Sequence, residues 1–247
     1  GDAPAPCIIA SGTCGAEGDN LTWTLSCDGV LTISGTGAMA DYEYVDGGFS
    51  SAPWNDYRET ISSLEFQLGV SSIGKYAFYP CRHLTTITLP SSVISIGRNA
   101  FDGCANLISA TIPNSVTTIG WYAFSACTNL SSVTIPESVT ELGIWPFQHC
   151  SGLTSIDVAS TNPIYSSTDG VLFYTTESSL LKYPAGKPSA SYIIPDNTTS
   201  ISDYAFEGST HLTSVTIPNS VTDIRSYAFR NCENLASLTI PNSVTRI

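Results

Sequence analysis

The amino-acid sequence predicts a solenoid, an elongated array in which one short coil is repeated and stacked to form a curved parallel β-sheet. The first observation is that Leu84-Thr-Thr-Ile-Thr-Leu-Pro90 recurs at residues 107–113 and 130–136, a period of 23 residues. The second is that the same proline register returns near the end of the chain, at Pro195, Pro218 and Pro241. The third is a phenylalanine column with the same spacing, formed by Phe78, Phe101, Phe124, Phe147, Phe206 and Phe229.

Each coil is predicted to begin with a short strand. Leu84, Ile87 and Leu89 place apolar side chains on one face of the segment before Pro90, as expected for a strand buried on one side. Proline lacks the amide hydrogen that a ladder needs, so it belongs at the end of the strand. The strand is therefore short and ends in a turn.

A second apolar group follows each strand and is predicted to form a short helical turn on the convex side. In one coil this group is Val116, Ile119, Ala123 and Phe124, with a spacing compatible with a turn of helix. One coil cannot bury these residues by itself, so coils stack and equivalent residues form internal columns.

The 8 cysteines fall into two groups. Five share one repeat position and are predicted to fill the core, because parallel side chains one strand apart are poorly aimed for disulfides. They are Cys81, Cys104, Cys127, Cys150 and Cys232. The other three lie near the start of the chain and allow one disulfide among three possible pairs. They are Cys7, Cys14 and Cys27, of which we favour the pair Cys14 with Cys27.

Composition and charge limit the classes of partner. The chain has 9 basic and 21 acidic residues, a net charge of −12, which disfavours nucleic acid and anionic lipid surfaces. No apolar run reaches the roughly 20 residues that span a bilayer, so we expect no membrane insertion within this chain. Only 12% of residues are charged, and Ser, Thr and Asn occupy many polar positions, which is unusual for a cytosolic enzyme. We expect an extracellular or cell-surface protein.

The repeat unit Leu-Thr-Ser-Val-Thr-Ile-Pro-Asn-Ser-Val-Thr-x-Ile-x-x-Tyr-Ala-Phe, at residues 212–229, resembles the BspA-like class of leucine-rich repeats. The repeat length, the Ile-Pro-x-Ser-Val turn and the Ala-Phe-x-x-Cys segment coincide in order with that class. The resemblance implies a leucine-rich-repeat solenoid of about eight short strands, and a bacterial surface or secreted protein that takes part in adhesion.

The regions outside the regular repeat suggest a domain organisation. Residues 1–55 are predicted to form an N-terminal β-hairpin cap, because Asp28-Gly29 separates two alternating runs. Residues 56–159 hold repeats, residues 160–190 a hairpin-like insertion within an elongated repeat, and residues 191–247 further repeats. The last coil is incomplete at Ile247, so we expect further repeats or an anchor domain beyond it.

Catalytic and metal-binding patterns are weak. His149 precedes Cys150, but Cys150 belongs to the core column, and the other two histidines lie several strands apart. Asp157 is alone among the outward strand positions, whereas glycosidases need two carboxylates. No phosphate-binding loop or nucleophile elbow is present. We therefore expect a protein that is not an enzyme, with no cofactor and no metal.

Outward positions of the strands form the first candidate ligand surface, on the predicted concave face. They are Thr86, Thr88, Ser109, Thr111, Ser132, Thr134, Ser155, Asp157, Ser214, Thr216, Ser237 and Thr239. We call this set the hydroxyl face. A purely structural explanation accounts for the same residues, because threonine favours strands and serine is easily solvated. The functional reading is a neutral polar face that hydrogen-bonds a ligand.

Two other candidate surfaces contain aromatic residues. One is a set of tyrosines and tryptophans that precede the Ala-Phe pair, on the outside of the coils, where half-buried packing is the alternative to binding. It consists of Tyr76, Trp121, Tyr122, Trp145, Tyr204 and Tyr227. The other is the acidic aromatic loop 41–48 in the predicted cap, for which a solvated loop is the alternative.

Together these features predict a binding module. The leading hypothesis is a surface adhesion module whose partner is a protein or glycan of a host or neighbouring cell. The alternative is a structural spacer within a larger surface protein, with no ligand of its own.

Overall fold

The computed structural model describes residues 7–175 and 178–247. Residues 1–6 and 176–177, which belong to the predicted cap region and insertion, lie outside it. The described chain contains one 3₁₀ helix, Asn55–Tyr57, and no helix long and apolar enough to cross a bilayer. Its strands are β1 (Ile8–Gly15), β2 (Gly18–Ser26), β3 (Val30–Gly35), β4 (Gly37–Ala38), β5 (Tyr44–Val45), β6 (Phe49–Ser50), β7 (Ser63–Phe66), β8 (Val70–Ile73), β9 (Thr86–Thr88), β10 (Ser95–Ile96), β11 (Ser109–Thr111), β12 (Thr118–Ile119), β13 (Ser132–Ile135), β14 (Glu141–Leu142), β15 (Ser155–Val158), β16 (Tyr165–Thr168), β17 (Val171–Tyr174), β18 (Ser179–Lys182), β19 (Ser191–Ile193), β20 (Ser200–Ile201), β21 (Ser214–Thr216), β22 (Asp223–Ile224) and β23 (Ser237–Leu238).

The strands stack as a solenoid with two parallel sheets, which confirms the predicted fold class. In the first sheet, β9, β11, β13 and β15 are neighbours, and Ser109 of β11 pairs with Thr86 and Ser132 in the adjacent coils. In the second sheet, β8, β10, β12 and β14 pair in the same way, with Ile96 beside Ile73 and Ile119. Pairing at a constant offset lets equivalent apolar residues lie on one another.

The predicted short helical turns on the convex side are not formed. Tyr122 has a left-handed backbone with a φ of 55°, which interrupts the segment before Phe124. The amide of Phe124 donates to the carbonyl of Pro146 in the next coil at 2.9 Å, and that of Phe101 donates to Ala123 at 2.8 Å. Because these amides donate hydrogen bonds to carbonyls of the next coil, they are not available for hydrogen bonds within a helix. The apolar spacing alone does not distinguish the two arrangements.

The phenylalanine and cysteine columns are in the core, as predicted. The ring of Phe101 stacks on Phe78 at 5.2 Å and on Phe124 at 5.3 Å, and all three are fully buried. The thiols of Cys104, Cys127, Cys150 and Cys232 each donate a hydrogen bond to a phenylalanine carbonyl of an adjacent coil; Cys127 Sγ lies 3.3 Å from Phe101 O. Burial raises the pKa of Cys150 to about 12, so its thiol stays protonated.

The N-terminal hairpin forms as predicted and covers the first coil. β2 and β3 pair in antiparallel fashion around Asp28-Gly29, where Gly29 has a φ of 80° that a tight turn requires. β3 then pairs in parallel with β7, so the hairpin leads directly into the solenoid. Trp54 stacks on Phe78 at 5.5 Å, and Trp23 packs edge-on against Trp54. These indoles cover the end of the phenylalanine column.

The predicted Cys14–Cys27 disulfide is wrong. The bond joins Cys7 to Cys27, with a Cα–Cα distance of 5.4 Å, and Cys14 is a buried free thiol. Strand β1, which the sequence did not reveal, explains the difference: it pairs with β2 in antiparallel fashion, so the residue before Ile8 lies opposite the residue after Ser26. Cys14 lies near the opposite end of the same ladder, out of reach of Cys27.

The insertion contains a hairpin that divides the first sheet. β16 and β17 pair in antiparallel fashion around Asp169 and Gly170, whose φ values of 53° and 71° suit a two-residue turn. β18 then pairs in parallel with β20, in a sheet of β16, β17, β18, β20 and β22 that is separate from the sheet of β8, β10, β12 and β14. As a result the first sheet consists of a block of β9, β11, β13 and β15 and a block of β19, β21 and β23.

Candidate ligand-binding surfaces

The hydroxyl face projects from the first sheet but is not one continuous row. Its members up to Asp157 lie on β9, β11, β13 and β15, and the rest lie in the block of β21 and β23, except that Thr239 follows the end of β23. Ser155 is half-buried and the other members are exposed, while the residues between them, such as Ile87 and Val133, point into the core.

Most hydroxyls of this face have no hydrogen-bond partner within the described part of the chain. The exception is Ser155, whose hydroxyl donates to the Asp157 carboxylate at 2.9 Å. Hydroxyls in a neighbouring repeat position behave differently, because Ser131 and Thr154 each bond to a carbonyl of the preceding coil, at 3.3 and 2.9 Å. The second kind of hydroxyl supports the stacking of coils, whereas the first kind is free for other partners.

One strand of this face was not included in the sequence prediction. β19 pairs with β21, so Ser191 and Ile193 occupy the positions beside Ser214 and Thr216. Ile193 is 72% exposed, which makes it an apolar member of an otherwise polar row. The register of Pro195 identifies this strand, although its last outward residue departs from the Ser/Thr pattern.

The aromatic set lies along the outside of the second sheet. Tyr76, Tyr122, Trp145, Tyr204 and Tyr227 all have left-handed backbones, with φ between 51° and 59°. Neighbouring rings are in contact: Trp145 meets Tyr122 at 5.6 Å and Tyr204 at 4.8 Å, and Tyr204 stacks on Tyr227 at 5.0 Å. Trp121 lies one residue before the left-handed position and is 48% exposed.

The acidic aromatic loop 41–48 and the pair His149 and Cys150 make contacts that support the fold. In the loop 41–48, Asp41 forms an ion pair with Lys75 at 2.9 Å and Tyr42 is buried. His149 is exposed, whereas Cys150 is buried and its thiol donates to the carbonyl of Phe124 at 3.1 Å. Among the described residues no cluster of three or more His, Cys, Asp or Glu side chains has the arrangement of a metal site.

A cleft beside the insertion was not predicted from the sequence. It has a volume of about 310 Å³ and lies between the corner that contains Trp145 and the corner that contains Tyr204. The cause is a shortened corner in the coil that follows the insertion hairpin. Four residues separate Ile201 from Phe206, as in the regular coils, but only two separate Leu180 from Tyr183.

Hydrogen bonds and ring contacts show that these two coils are equivalent. Leu180 pairs with Ile201, the Tyr183 amide donates to the carbonyl of Ala205 at 2.8 Å, and Tyr183 stacks on Phe206 at 5.2 Å. Tyr183 therefore occupies a phenylalanine position, and the corner that would fill the cleft is two residues short. The shorter spacing between the Ile and Phe columns is the sequence signal that could have revealed the cleft.

A lysine lies at the same place. Lys182 precedes Tyr183 and so occupies the alanine column, whose other members include Ala100, Ala123 and Ala205, all fully buried. Its Nζ donates to the carbonyl of Tyr204 at 3.1 Å, and its side chain lines the cleft. Burial lowers the pKa of Lys182, an effect that the nearby Glu207 carboxylate opposes.

Two solved structures of bacterial proteins are similar to this chain. The chain is similar to a leucine-rich repeat protein from Eubacterium ventriosum, with 30% identity and a TM-score of 0.77 over 96% of this chain and 68% of the other. It shares its fold with the pneumococcal vaccine antigen PcpA, with 22% identity and a TM-score of 0.70 over 98% of this chain and 72% of that one. Among proteins with curated functions, none is significantly similar. The BspA type leucine-rich repeat region matches residues 56–169 and 186–247 in six copies, and this chain therefore belongs to the BspA-type leucine-rich repeat family.

Proposed function

We propose that this chain is a cell-surface or secreted binding module that mediates adhesion, with the hydroxyl face as its ligand surface. The observation that carries the proposal is a set of exposed hydroxyls, repeated in register from β9 to β13, that have no hydrogen-bond partner among the described residues. Thr86, Ser109 and Ser132 are paired neighbours, and Thr88 pairs with Thr111. In parallel strands such side chains form a comb with a step of about 4.8 Å.

A comb of free hydroxyls suits a partner that both donates and accepts hydrogen bonds. Each hydroxyl has one donor and two acceptor sites, so it can bond the amides of an extended protein segment or the hydroxyls of a glycan. A single bond of this kind contributes about 1 kcal/mol. Binding must therefore be spread over several coils, which is the arrangement that a repeat array provides.

The charge of the face favours a neutral ligand. Asp157 is the only charged residue in the set, although the chain as a whole has a net charge of −12. The acidic residues therefore lie elsewhere. We propose a protein or glycan of a host or neighbouring cell as the partner, since nucleic acid and anionic lipid would be repelled by the overall charge.

The test compares two triple variants on arrays of extracellular-matrix proteins and glycans. The first, Thr111→Lys, Thr134→Lys and Thr216→Lys, places three charges on the hydroxyl face. A matched control, Asn114→Lys, Thr140→Lys and Asn219→Lys, adds the same charge at exposed positions outside the strands. We expect the wild type and the control to bind a common partner and the first variant to lose it. Absence of binding by the wild type, or retention by the first variant, would overturn the proposal in favour of a structural spacer.

A further inference from the structure

The cleft beside the insertion has the features of a site built for one small ring. Its lining includes the aromatic residues Trp145, Tyr165 and Tyr204 together with Leu172 and Leu181. Small-molecule sites in proteins are mostly apolar cavities of about 300–1,000 Å³ with a few placed polar groups. At about 310 Å³, the cleft is at the lower end of that range, which suits a ligand with a single ring.

The polar groups of the cleft need a ligand that both donates and accepts hydrogen bonds. Lys182 and Arg225 are donors only, and the carboxylate of Asp203 accepts only. Tyr165 accepts a hydrogen bond from the amide of Leu142 at 2.9 Å, which leaves its own hydroxyl proton free to donate. A purely apolar ligand would remove water from these groups without replacing its hydrogen bonds.

The charges of the cleft argue against a simple organic anion. Arg225 is already paired with Asp223 at 3.3 Å. Lys182 is held near the buried carboxylate of Glu207, which is 3% exposed. Asp203 adds a further acidic group at the rim. Each cation is therefore partly balanced, and a ligand carboxylate would meet both Asp203 and the overall negative charge of the chain.

We propose that this cleft binds one sugar ring of a neutral glycan. The apolar C–H face of a pyranose can stack on the Trp145 or Tyr204 ring, while its hydroxyls accept from Lys182 and donate to Asp203. Hydroxyls satisfy donors and acceptors together, which neither an apolar group nor a carboxylate can do. The site differs from the hydroxyl face in position and chemistry, and the inference does not depend on that face.

Lys182 is the strongest evidence for a specific binding site in the cleft. In the regular coils its position holds a buried alanine or, in one coil, Pro146, and an ammonium withdrawn from water costs free energy unless it is paired and hydrogen-bonded. Lys182 forms one hydrogen bond, to the carbonyl of Tyr204, and an ammonium has three protons to donate. Its remaining protons are available to a ligand in the cleft.

The experiment measures binding of methyl glycosides of neutral hexoses and N-acetylhexosamines to the purified chain. Saturation-transfer NMR detects weak ligands, and the indole N–H signal of Trp145, assigned through Trp145→Phe, reports the place of binding. We expect at least one glycoside to bind with a dissociation constant on the order of 1 mM and to shift that signal. Lys182→Met should weaken binding tenfold or more, whereas the matched control Lys75→Met should leave it unchanged.

Several results would overturn the proposal. They are the absence of binding by any glycoside to the wild type, equal binding by Lys182→Met, and binding of phenylacetate or indole-3-acetate in place of glycosides. The thermal midpoint of each variant shows whether it is folded, and the Trp145 signal, once assigned, is followed in the wild type. The variant with Thr111→Lys, Thr134→Lys and Thr216→Lys should bind the glycosides as the wild type does. This result separates the test of the cleft from the test of the hydroxyl face.

Discussion

The stacked phenylalanine column should make stability depend on the position of a substitution along the array. Phe124 is fully buried, with the Phe101 ring at 5.3 Å on one side and the Phe147 ring at 6.0 Å on the other. Replacing it by alanine leaves a cavity between two rings that the backbone holds in place. Truncation of a buried phenylalanine typically costs about 3–5 kcal/mol, and we expect a loss in the upper part of that range.

Phe229 offers a matched control because it occupies the same column near the end of the described chain. It has one stacked neighbour, Phe206 at 4.9 Å, and is half-buried. The same change to alanine removes less buried area and leaves a cavity that is open to water. We expect its cost to be half that of Phe124→Ala or less, roughly 1–2 kcal/mol, by the same relation between burial and stability.

Urea unfolding followed by far-ultraviolet circular dichroism measures both losses. Domains of ordinary stability unfold with about 5–15 kcal/mol, so the Phe124 variant should have a much lower midpoint. Equal losses at the two positions would refute the argument that stacking from both sides stabilises the array. A loss at Phe124 below about 1 kcal/mol would show that the coils relax to fill the cavity.

Other predictions concern cysteine chemistry and pH. In the native chain the half-buried Cys232 should react with a thiol reagent before the other free thiols, which are buried, and faster reaction of Cys14 would contradict this. Non-reducing peptide mapping should show Cys7 joined to Cys27, and replacing both by serine should cost about 3 kcal/mol because the bond closes a loop with a separation of 20 residues. Burial lowers the pKa of Lys182 in the folded chain. Lys182 therefore stays protonated up to a higher pH in the unfolded chain than in the folded chain. Stability of the wild type relative to Lys182→Met should therefore rise as the pH increases towards the ordinary lysine pKa of about 10.4, and a constant difference would contradict this reasoning.

The repeat made most of the fold predictable. The columns of Phe101 and Cys127 follow from their spacing, and the hairpin at Asp28-Gly29 follows from its turn chemistry. The prediction of helical turns was wrong because the apolar spacing around Phe124 fits a helix and an open turn equally well. What decides between them is the left-handed backbone of Tyr122 and the bonding of amides to the next coil, neither of which a single coil reveals.

The candidate sites were less predictable than the core. The outward position of Thr111 follows from strand alternation, but whether its hydroxyl is free depends on its partners in the folded chain. The correct disulfide could be predicted only if strand β1 was recognised, and its segment Ile8–Gly15 has no regular alternation of apolar residues. The cleft depended on a difference in spacing between two columns, which matters only after Leu180 is known to pair with Ile201.

The position of the cleft follows from the geometry of a repeat array. While every coil has the same length, each corner packs on the next, so the alanine column is closed, as it is at Ala100 and Ala123. The cleft opens where one corner is shorter than its neighbours, and there a long polar side chain, that of Lys182, replaces alanine while staying partly exposed to solvent. Regular coils therefore supply stability and a uniform surface, whereas the irregular coil supplies a distinctive pocket. In a chain of this type, a change in spacing between two core columns is a better indicator of a specific site than any single surface residue.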